Sequence, residues 1–463
     1  MTDPDPLDLA REHARSFLAG VDRRPVAAPV NARALYDALS HPLADEGLEP
    51  AVVIDQLARD ADPGLTATVG PRYFGFVIGG SLPAALAADW LVSAWDQNAA
   101  FYALSPAAAV IEEVTAGWVL ELLGLPADAS VGFTTGAQGA ITTALAAARN
   151  HVLATAGWDV ERDGLIGAPP VSIFVGADAH VTVSRALRLL GLGSDSAVAI
   201  EADGQGRMRP DALREALTSV TGPAIVCAQA GNVNSGAVDP MDQIADVCDG
   251  RAWLHVDGAF GLWAGAAPST RSLLAGVERA DSWALDAHKW LNTPYDGAIA
   301  VVAHPEAHVR AMSLAAAYLA TDGAQRDGSN FVPESSRRAR AIPIYAALRS
   351  LGRRGVADLV ERTCAHARRF AERLGADPAI DVLNDVVLNQ VLIRIADDDE
   401  ATRAAIAAVQ ADGTCWIGGT VWQGRAAMRI SVSNWSTTVD DVERSAAAIL
   451  AAARTATSSG PAS

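Results

Sequence analysis

The sequence predicts an α/β protein with a mostly parallel β-sheet, an N-terminal helical segment and a small C-terminal α+β domain. Between about residues 130 and 303, short apolar runs alternate with amphipathic stretches. This alternation is typical of strands that are joined by helices. Half of the 463 residues are hydrophobic and 19% are charged, which indicates a globular chain that is long enough for more than one domain.

The elements follow from local patterns along the chain. Residues 1–70 have a helical pattern that is broken by prolines in RRPVAAPVN. Residues 71–352 form the predicted large domain. Its predicted strands are VGFTT (131–135), VSIFVG (171–176), AVAIEA (197–202), AIVCAQ (224–229), AWLHVD (252–257), SWALD (282–286) and AIAVVA (298–303).

The sequence pattern of the C-terminal region, residues 353–453, predicts the small α+β domain. Its pattern gives helices at 356–374, 399–410 and 438–453, and strands at 386–395, 415–422 and 426–433. The tail TATSSGPAS lies in residues 454–463, which we predict to be disordered because chain ends of this composition have little to pack against.

Charge and cysteine content limit the partners and the compartment. The formal net charge of −18 argues against nucleic acids and anionic membrane surfaces. The apolar runs are too short to span a membrane, and the first residues do not resemble a secretory signal. Four cysteines lie far apart and have no metal-binding spacing. The sequence therefore predicts a cytoplasmic protein without disulfides or a metal site.

Position 289 holds the single lysine of the chain, whereas the other 35 basic residues are arginines. A genome that prefers arginine explains the 35 arginines and makes the remaining lysine informative. Lysine can lose its proton and act as a nucleophile, which arginine cannot do. Lys289 could also be a surface residue that was retained by chance.

Three predicted strand ends carry the residues that surround this lysine. Chemistry in an open parallel sheet gathers at the carboxyl ends of its strands. Asp257 ends one strand in HVDGAFG, Lys289 follows another in DAHKW, and a third runs into the glycine-rich turn TGAQGA. Alone, the turn could be an ordinary strand-to-helix connection, and Asp257 could cap a helix or bind a metal. Together, an amine, a carboxylate and an anion cradle are the parts that hold pyridoxal 5′-phosphate (PLP).

HVDGAFG followed by DAHKW resembles the group II PLP-dependent amino acid decarboxylases, the family of aromatic-L-amino-acid and glutamate decarboxylases. The likeness extends from about residue 70 to about residue 355 and indicates a bacterial-type member. It implies the PLP-dependent transferase fold type I (aspartate aminotransferase-like) and a homodimer with shared active sites. It also implies three catalytic residues. Lys289 would be the Schiff-base lysine, Asp257 would pair with the pyridine nitrogen, and His180 would stack on the ring and touch the substrate carboxylate.

The resemblance implies further contacts with the cofactor. Ala259 would lie against the ring and His288 would contact the phosphate. The phosphate turn corresponds to Gly136, Ala137 and Gln138, and Asn232 lies in a second stretch near the cofactor. Two departures concern details of binding. Gln138 and Gly139 replace a hydroxyl residue and an acid of the family's turn, and GNVNSGAVDP replaces its Gly-Thr-Thr stretch. Without the motif, His180 would be interpreted as a helix-capping or core histidine.

The resemblance implies decarboxylation of an L-amino acid to the amine and CO2. The alternatives are another PLP reaction on the same scaffold, such as aldehyde-forming oxidative deamination or a carbon–carbon bond reaction, and a non-catalytic PLP-binding protein. RYFGFVIGGSLP corresponds to the pocket wall of the family. Its apolar Phe76 and Val77 favour an aromatic or bulky apolar substrate, unless they belong to the core.

Phe331 stands near the place where the family's mobile loop carries a tyrosine that helps to protonate the carbanion. The nearest tyrosine is Tyr318, which lies 13 positions earlier. Phenylalanine cannot donate a proton, so this substitution favours slow decarboxylation or a side product. Phe331 could instead only pack its loop against the protein.

Overall fold

The computed structural model of the chain describes residues 5–313 and 325–458. The described residues divide into two compact units. The first unit lies within Met1–Ile78, Arg369–Val382 and Leu392–Ser463, and the second lies within Gly79–Arg368 and Leu383–Val391. The first unit thus includes parts of both the predicted N-terminal segment and the predicted C-terminal domain.

The second unit contains a seven-stranded sheet with the order β1-β7-β6-β5-β4-β2-β3. All seven predicted strands are confirmed. They are β1 Ser130–Thr134, β2 Ser172–Gly176, β3 Ala197–Ile200, β4 Ala224–Gln229, β5 Trp253–Asp257, β6 Ser282–Asp286 and β7 Ala298–Val302. The pairs among β2 to β6 are parallel, whereas β7 is antiparallel to both β1 and β6.

Five strands of the sheet, β1, β4, β5, β6 and β7, have no residue exposed to solvent. A sheet that is covered on both faces needs near-continuous apolar strands. α6 covers part of the sheet, since its Ile141 and Leu145 share a core cluster with Ile225 and Val302. This packing fixes the position of the turn that opens α6.

Helices α4 to α11 belong to the second unit. They are α4 Pro83–Trp95, α5 Pro106–Leu123, α6 Ala137–Thr155, α7 Val160–Asp163, α8 Val181–Leu189, α9 Pro210–Leu217, α10 Met241–Cys248 and α11 Pro305–Met312. Four of these eight helices begin with proline, which suits the first helical position because the N–H that it lacks would have no partner there.

α12, Ala341–Gly375, contains a break at Gly352, where φ is 60° and ψ is 178°. Glycine adopts this conformation without the steric cost that a side chain would add. The predicted domain boundary between residues 352 and 353 stays a prediction. No helix among the described residues has the length and apolar character that crossing a membrane requires.

The first unit contains five helices and most of a four-stranded sheet with the order β10-β11-β9-β8. The helices are α1 Pro6–Gly20, α2 Ala32–Leu39, α3 Pro50–Ala61, α13 Asp399–Asp412 and α14 Val439–Ser458, and the strands are β8 Ile380–Val382, β9 Gln390–Ile395, β10 Gly418–Trp422 and β11 Arg425–Ser431. Only β8 was not predicted from the sequence, because three residues give no periodicity.

The C-terminal end of α14 corrects one boundary. Residues 454–458 of the predicted disordered tail are helical, and the remainder of the tail lies outside the described residues. The helix continues because Ala452 and Ala453 are buried in its last turns. The hydroxyl of Thr455 also donates to the carbonyl oxygen of Ala451.

Candidate active site

Two strands that point the same way bring the glycine-rich turn to the lysine. Thr134 of β1 and Asp286 of β6 both lie opposite Ala298 of β7. The carboxyl ends of β1 and β6 are therefore one strand apart at the same edge of the sheet. α6 begins just after β1 and Lys289 follows β6 by three residues, so the two motifs meet there.

Lys289 forms an ion pair with a buried carboxylate. Its Nζ lies 2.9 Å from Oδ2 of Asp286, whose side chain is only 2% exposed. Oδ1 of Asp286 accepts the backbone N–H of Ala137 at 2.6 Å. Asp286 therefore joins the lysine to the first turn of α6. The prediction that Ala137 also binds phosphate remains a prediction, since this N–H already has a partner.

Asp257 is buried at the end of the neighbouring strand β5. Burial raises the pKa of its carboxyl group, and the positive charge of Lys289 is the strongest effect that opposes the shift. Its Oδ1 accepts the N–H of Ala259 at 3.1 Å, and the carbonyl oxygen of Ala259 accepts the N–H of Asp286. The structure thus places Asp257, Ala259 and Lys289 at adjacent strand ends, as the sequence predicted.

His288 has a defined proton arrangement. Its Nδ1 accepts the N–H of Gly297 at 3.2 Å, and its Nε2 lies 3.5 Å from Oδ1 of Asp286. Burial lowers the pKa of His288. In the neutral ring the proton is therefore on Nε2, which faces the carboxylate. The ring packs against Tyr295, with centroids 4.3 Å apart, and sequence reasoning gave no sign of this neighbour.

Gly136 lies beside the His288 ring. A Cβ atom at Gly136 would be 3.6 Å from Cε1 of His288 and 3.8 Å from Oδ1 of Asp286. Both distances are ordinary van der Waals contacts, so packing alone does not require glycine here, and the anion cradle stays a prediction.

His180 is the N-cap of α8, so the helix-capping interpretation of this residue is correct as far as its local contacts go. Its Nδ1 lies 2.8 Å from Oγ1 of Thr182 and accepts the N–H of the same residue at 3.4 Å. Gln138 donates its side-chain amide to the carbonyl oxygen of Thr182 at 3.2 Å. The predicted contact between the Gln138 amide and a phosphate therefore remains a prediction.

Asn232 is fully buried and organises the loop after β4. Its Oδ1 accepts the N–H groups of Asn234 and Ser235 at 2.9 and 3.2 Å. Its Nδ2 donates to the carbonyl oxygen of Asp178 at 3.1 Å, in the loop after β2. These bonds describe a structural role, and the predicted contact between Asn232 and the cofactor stays a prediction.

Phe76 and Val77 belong to the first compact unit, whereas Lys289 belongs to the second. Phe76 is 62% exposed and stacks on Trp416, with ring centroids 5.4 Å apart, while Val77 is buried. Both residues have positive φ angles, 55° and 64°, which is a strained conformation for bulky side chains. Their predicted contact with the substrate is not tested by these features.

Phe331 packs its own loop in the described chain. Its ring lies 4.2 Å from the guanidinium carbon of Arg326, and its carbonyl oxygen lies 3.0 Å from Nε2 of His308. These contacts are those of the packing alternative, and the predicted role of Phe331 near the substrate stays a prediction. Tyr318 lies outside the described residues.

The side chains at this sheet edge fit PLP. Lys289 has a free amine, and Asp257 has a buried carboxylate that could pair with the ring nitrogen. α6 begins directly after Gly136, and the N-terminal end of a helix favours an anion. Their arrangement suits this cofactor better than a metal. Among residues 5–313 and 325–458 no group of three or more His, Cys, Asp and Glu side chains has a metal-binding arrangement.

Comparison with known proteins decides the family. The model of the pyridoxal-dependent decarboxylase conserved domain matches residues 35–396, which is most of the chain. The chain belongs to the pyridoxal-dependent decarboxylase family. It is a PLP-dependent amino acid decarboxylase, so the predicted family, fold, cofactor and lyase activity are confirmed.

Relatives of the decarboxylase have different activities. L-2,4-diaminobutyrate decarboxylase of Rhizobium meliloti (strain 1021) is 31% identical over 428 residues, which cover 89% of this chain and 83% of the relative. 4-Hydroxyphenylacetaldehyde synthase of Rhodiola rosea is 26% identical over 452 residues, which cover 91% and 90%. The crystal structure of Oryza sativa TDC with PLP and tryptamine is 25% identical, with a TM-score of 0.90 and 97% coverage of both chains.

Proposed function

We propose that the decarboxylase converts an L-amino acid with an aromatic or bulky apolar side chain to its amine and CO2. The observation that carries this proposal is the pairing of one amine, Lys289, with the buried carboxylates Asp257 and Asp286 at neighbouring strand ends. The similarity to Oryza sativa TDC, whose structure contains tryptamine, supports an aromatic substrate.

Each residue of the site would have a separate role in the reaction. PLP, when bound, accepts the electron pair of the bond that breaks. Lys289 would hold the cofactor until the substrate amine replaces it. Asp257 would keep the ring nitrogen protonated, and His180 would orient the substrate carboxylate. The protein selects decarboxylation by the orientation in which it holds that carboxylate.

The test is a panel of L-amino acids incubated with PLP-loaded protein. Mass spectrometry would follow the loss of each substrate and the mass of each product, and trapping would quantify CO2. We expect an aromatic or bulky apolar amino acid to give the corresponding amine together with CO2. Turnover of only diaminobutyrate or acidic amino acids would contradict the proposed substrate class.

A second candidate function is decarboxylation that is coupled to oxidative deamination and gives an aldehyde. Phe331 favours it because phenylalanine has no proton to donate, and the similarity to 4-hydroxyphenylacetaldehyde synthase agrees with it. Amine, aldehyde and peroxide would be measured for the wild type and for Phe331→Tyr. If the wild type gives only amine and the tyrosine changes nothing, Phe331 has no catalytic role.

We also propose a homodimer in the cytoplasm. None of the residues of α1, α2 and α3, all of which the structure describes, is buried within one chain. Ten large apolar side chains are exposed between positions 7 and 65: Leu7, Leu18, Tyr36, Leu39, Leu43, Leu48, Val52, Val53, Leu57 and Leu65. A second copy of the chain would cover such a surface. All four cysteines are unpaired, as is usual in a reducing compartment.

A further inference from the structure

The contacts of His180 determine which of its nitrogens carries the proton. A backbone N–H can only donate, so the N–H of Thr182, 3.4 Å from Nδ1 of His180, favours an unprotonated Nδ1 through a long hydrogen bond. The hydroxyl of Thr182 lies 2.8 Å from the same nitrogen and can donate to it as well. A neutral His180 in this geometry therefore carries its proton on Nε2.

Thr182 is in turn held by the turn that opens α6. The carbonyl oxygen of Thr182 can only accept, so the Gln138 atom that lies 3.2 Å from it must be the amide nitrogen. The carbonyl oxygen of Gln138 accepts the hydroxyl of Thr142 at 2.7 Å, one turn further along the helix. A chain of hydrogen bonds thus runs from the first turn of α6 through Thr182 to the imidazole.

We propose that Thr182 is a positioning residue that fixes the Nε2–H tautomer of His180, and that Gln138 holds Thr182 in place. This inference rests on the proposed role of His180 at the substrate carboxylate. An Nε2–H group donates a hydrogen bond to a carboxylate, whereas the other tautomer would present a lone pair and repel it. A donor that is oriented before the substrate binds needs no reorganisation during the reaction.

Gln138 gains a function from this arrangement. It stands where the family's phosphate turn has a hydroxyl residue, and its amide links the cofactor turn to the helix that carries His180. The substitution therefore couples the position of the cofactor to the position of the histidine that is proposed to meet the substrate.

The test is ¹⁵N NMR of histidine-labelled protein. The resonances of His180 would be identified from their loss in His180→Gln, and the shifts of the two ring nitrogens separate the tautomers. Wild type and Thr182→Ser should show the Nε2–H tautomer of His180. Thr182→Val keeps the shape of threonine but removes the hydroxyl that lies 2.8 Å from Nδ1. Only the longer backbone N–H contact at 3.4 Å then remains, so the population of the Nε2–H tautomer should fall. Thr155→Val is the control, because it removes a hydroxyl that donates to the carbonyl oxygen of His151 in the last turn of α6, away from Gln138 and Thr182.

Two results would overturn the proposal: an Nδ1–H tautomer in the wild type, or an unchanged tautomer population in Thr182→Val. The glutamate carboxylate in Gln138→Glu cannot donate a hydrogen bond to Thr182. An unchanged tautomer population of His180 in this variant would show that Gln138 does not hold Thr182 in place. In steady-state assays, Thr182→Val should lose about tenfold or more in kcat/KM, while Thr182→Ser stays near the wild type. If no amino acid is turned over, the proposed function fails, but the NMR measurement still decides the tautomer.

Discussion

At the scale of single residues, the role proposed for Lys289 requires a free amine as well as a positive charge. Arginine at this position would keep the charge beside Asp286 but would offer no free amine. We expect Lys289→Arg to bind PLP without a covalent link and to have no turnover. Borohydride reduction followed by peptide mapping checks this, since the chain has no other lysine. An active Lys289→Arg enzyme would contradict the proposed mechanism.

The role proposed for Asp257 depends on its negative charge and involves no covalent bond. Asp257→Asn keeps the size of the side chain but removes the negative charge that would hold the proton on the ring nitrogen. We expect kcat to fall by about 100- to 1000-fold, which corresponds to roughly 3–4 kcal/mol of transition-state stabilisation. Steady-state kinetics measure the loss, and circular dichroism checks that the fold survives. A near-normal rate would rule out this role.

The expectation that functional residues lie at the carboxyl ends of parallel strands predicted only part of this site. Asp257 and Lys289 could be predicted because each ends or follows an apolar strand. Asp286 ends its strand in the same way, yet the contact that defines its role joins it to Ala137, 149 positions earlier. That contact depends on β7 lying between β1 and β6, which no local pattern contains. Tyr295 was missed for the same reason, since its role is visible only in its packing on His288.

At the scale of elements, His308 joins α11 to β1 and to the loop of Phe331. Its Nδ1 lies 2.8 Å from Oγ of Ser130, and its Nε2 lies 3.0 Å from the carbonyl oxygen of Phe331. Burial lowers the pKa of His308 from 6.5 to about 4. Unfolded chains therefore take up the proton at a higher pH than the folded chain does. The free energy of unfolding should fall as the pH drops from about 6.5 towards about 4.

His308→Gln should weaken this pH dependence. Between about pH 7.5 and about pH 5, the histidine accounts for a loss of about 2 kcal/mol, and the variant should lack that part of the loss. Urea unfolding at both pH values measures it. An equal pH dependence in the variant and the wild type would show that His308 is not the group responsible.

The segment before α4 packs tightly on the turn that follows Lys289. A Cβ atom at Gly79 would overlap the carbonyl oxygen of Lys289, and Leu82 donates its N–H to the carbonyl oxygen of Asn292 at 2.8 Å. Gly79→Ala should therefore displace the lysine turn and cost about 1–3 kcal/mol of stability. It should also weaken the binding of PLP, which is measured by absorbance titration.

Gly117 is the matched control for this substitution. It lies in α5, and a Cβ atom there would meet no atom within 4 Å. Gly117→Ala should leave PLP binding unchanged and stabilise the protein by about 0.5–1 kcal/mol, because alanine favours a helix more than glycine does. Equal effects of the two substitutions on PLP binding would contradict the role of Gly79.

Strands were easier to predict than some helices. The seven strands of the large sheet were found because each is a short apolar run between polar stretches. α4 and α5 were not predicted as separate elements, although Ser105 caps α5 and Pro106 begins it, which is a local signal. Their hydrophobic residues are spread around the helix instead of forming one stripe. Periodicity therefore gave little information.

At the scale of the whole molecule, the exposed apolar side chains of the N-terminal helices favour a homodimer. Val53 and Leu57 are one turn apart on α3, and both are exposed. The double substitution Val53→Glu and Leu57→Glu should convert the proposed dimer to a monomer, because charged side chains resist burial in an interface. Sedimentation velocity measures this. The control is Ile166→Glu, which places a charge at another exposed apolar position and should leave the dimer intact. A wild-type protein that is a fully active monomer would contradict the proposed dimer.

The position of β7 has a consequence for the order in which the protein is made. β7 is the neighbour of β1 in the large sheet, and their paired residues Ser130 and Val302 are 172 positions apart. At ribosomal rates of elongation, the synthesis of β7 follows that of β1 by on the order of ten seconds. Until then, the turn at Gly136 has no Asp286 across from it. We therefore expect a nascent chain to acquire its cofactor site late and in one step, and not while it is shorter than about 300 residues.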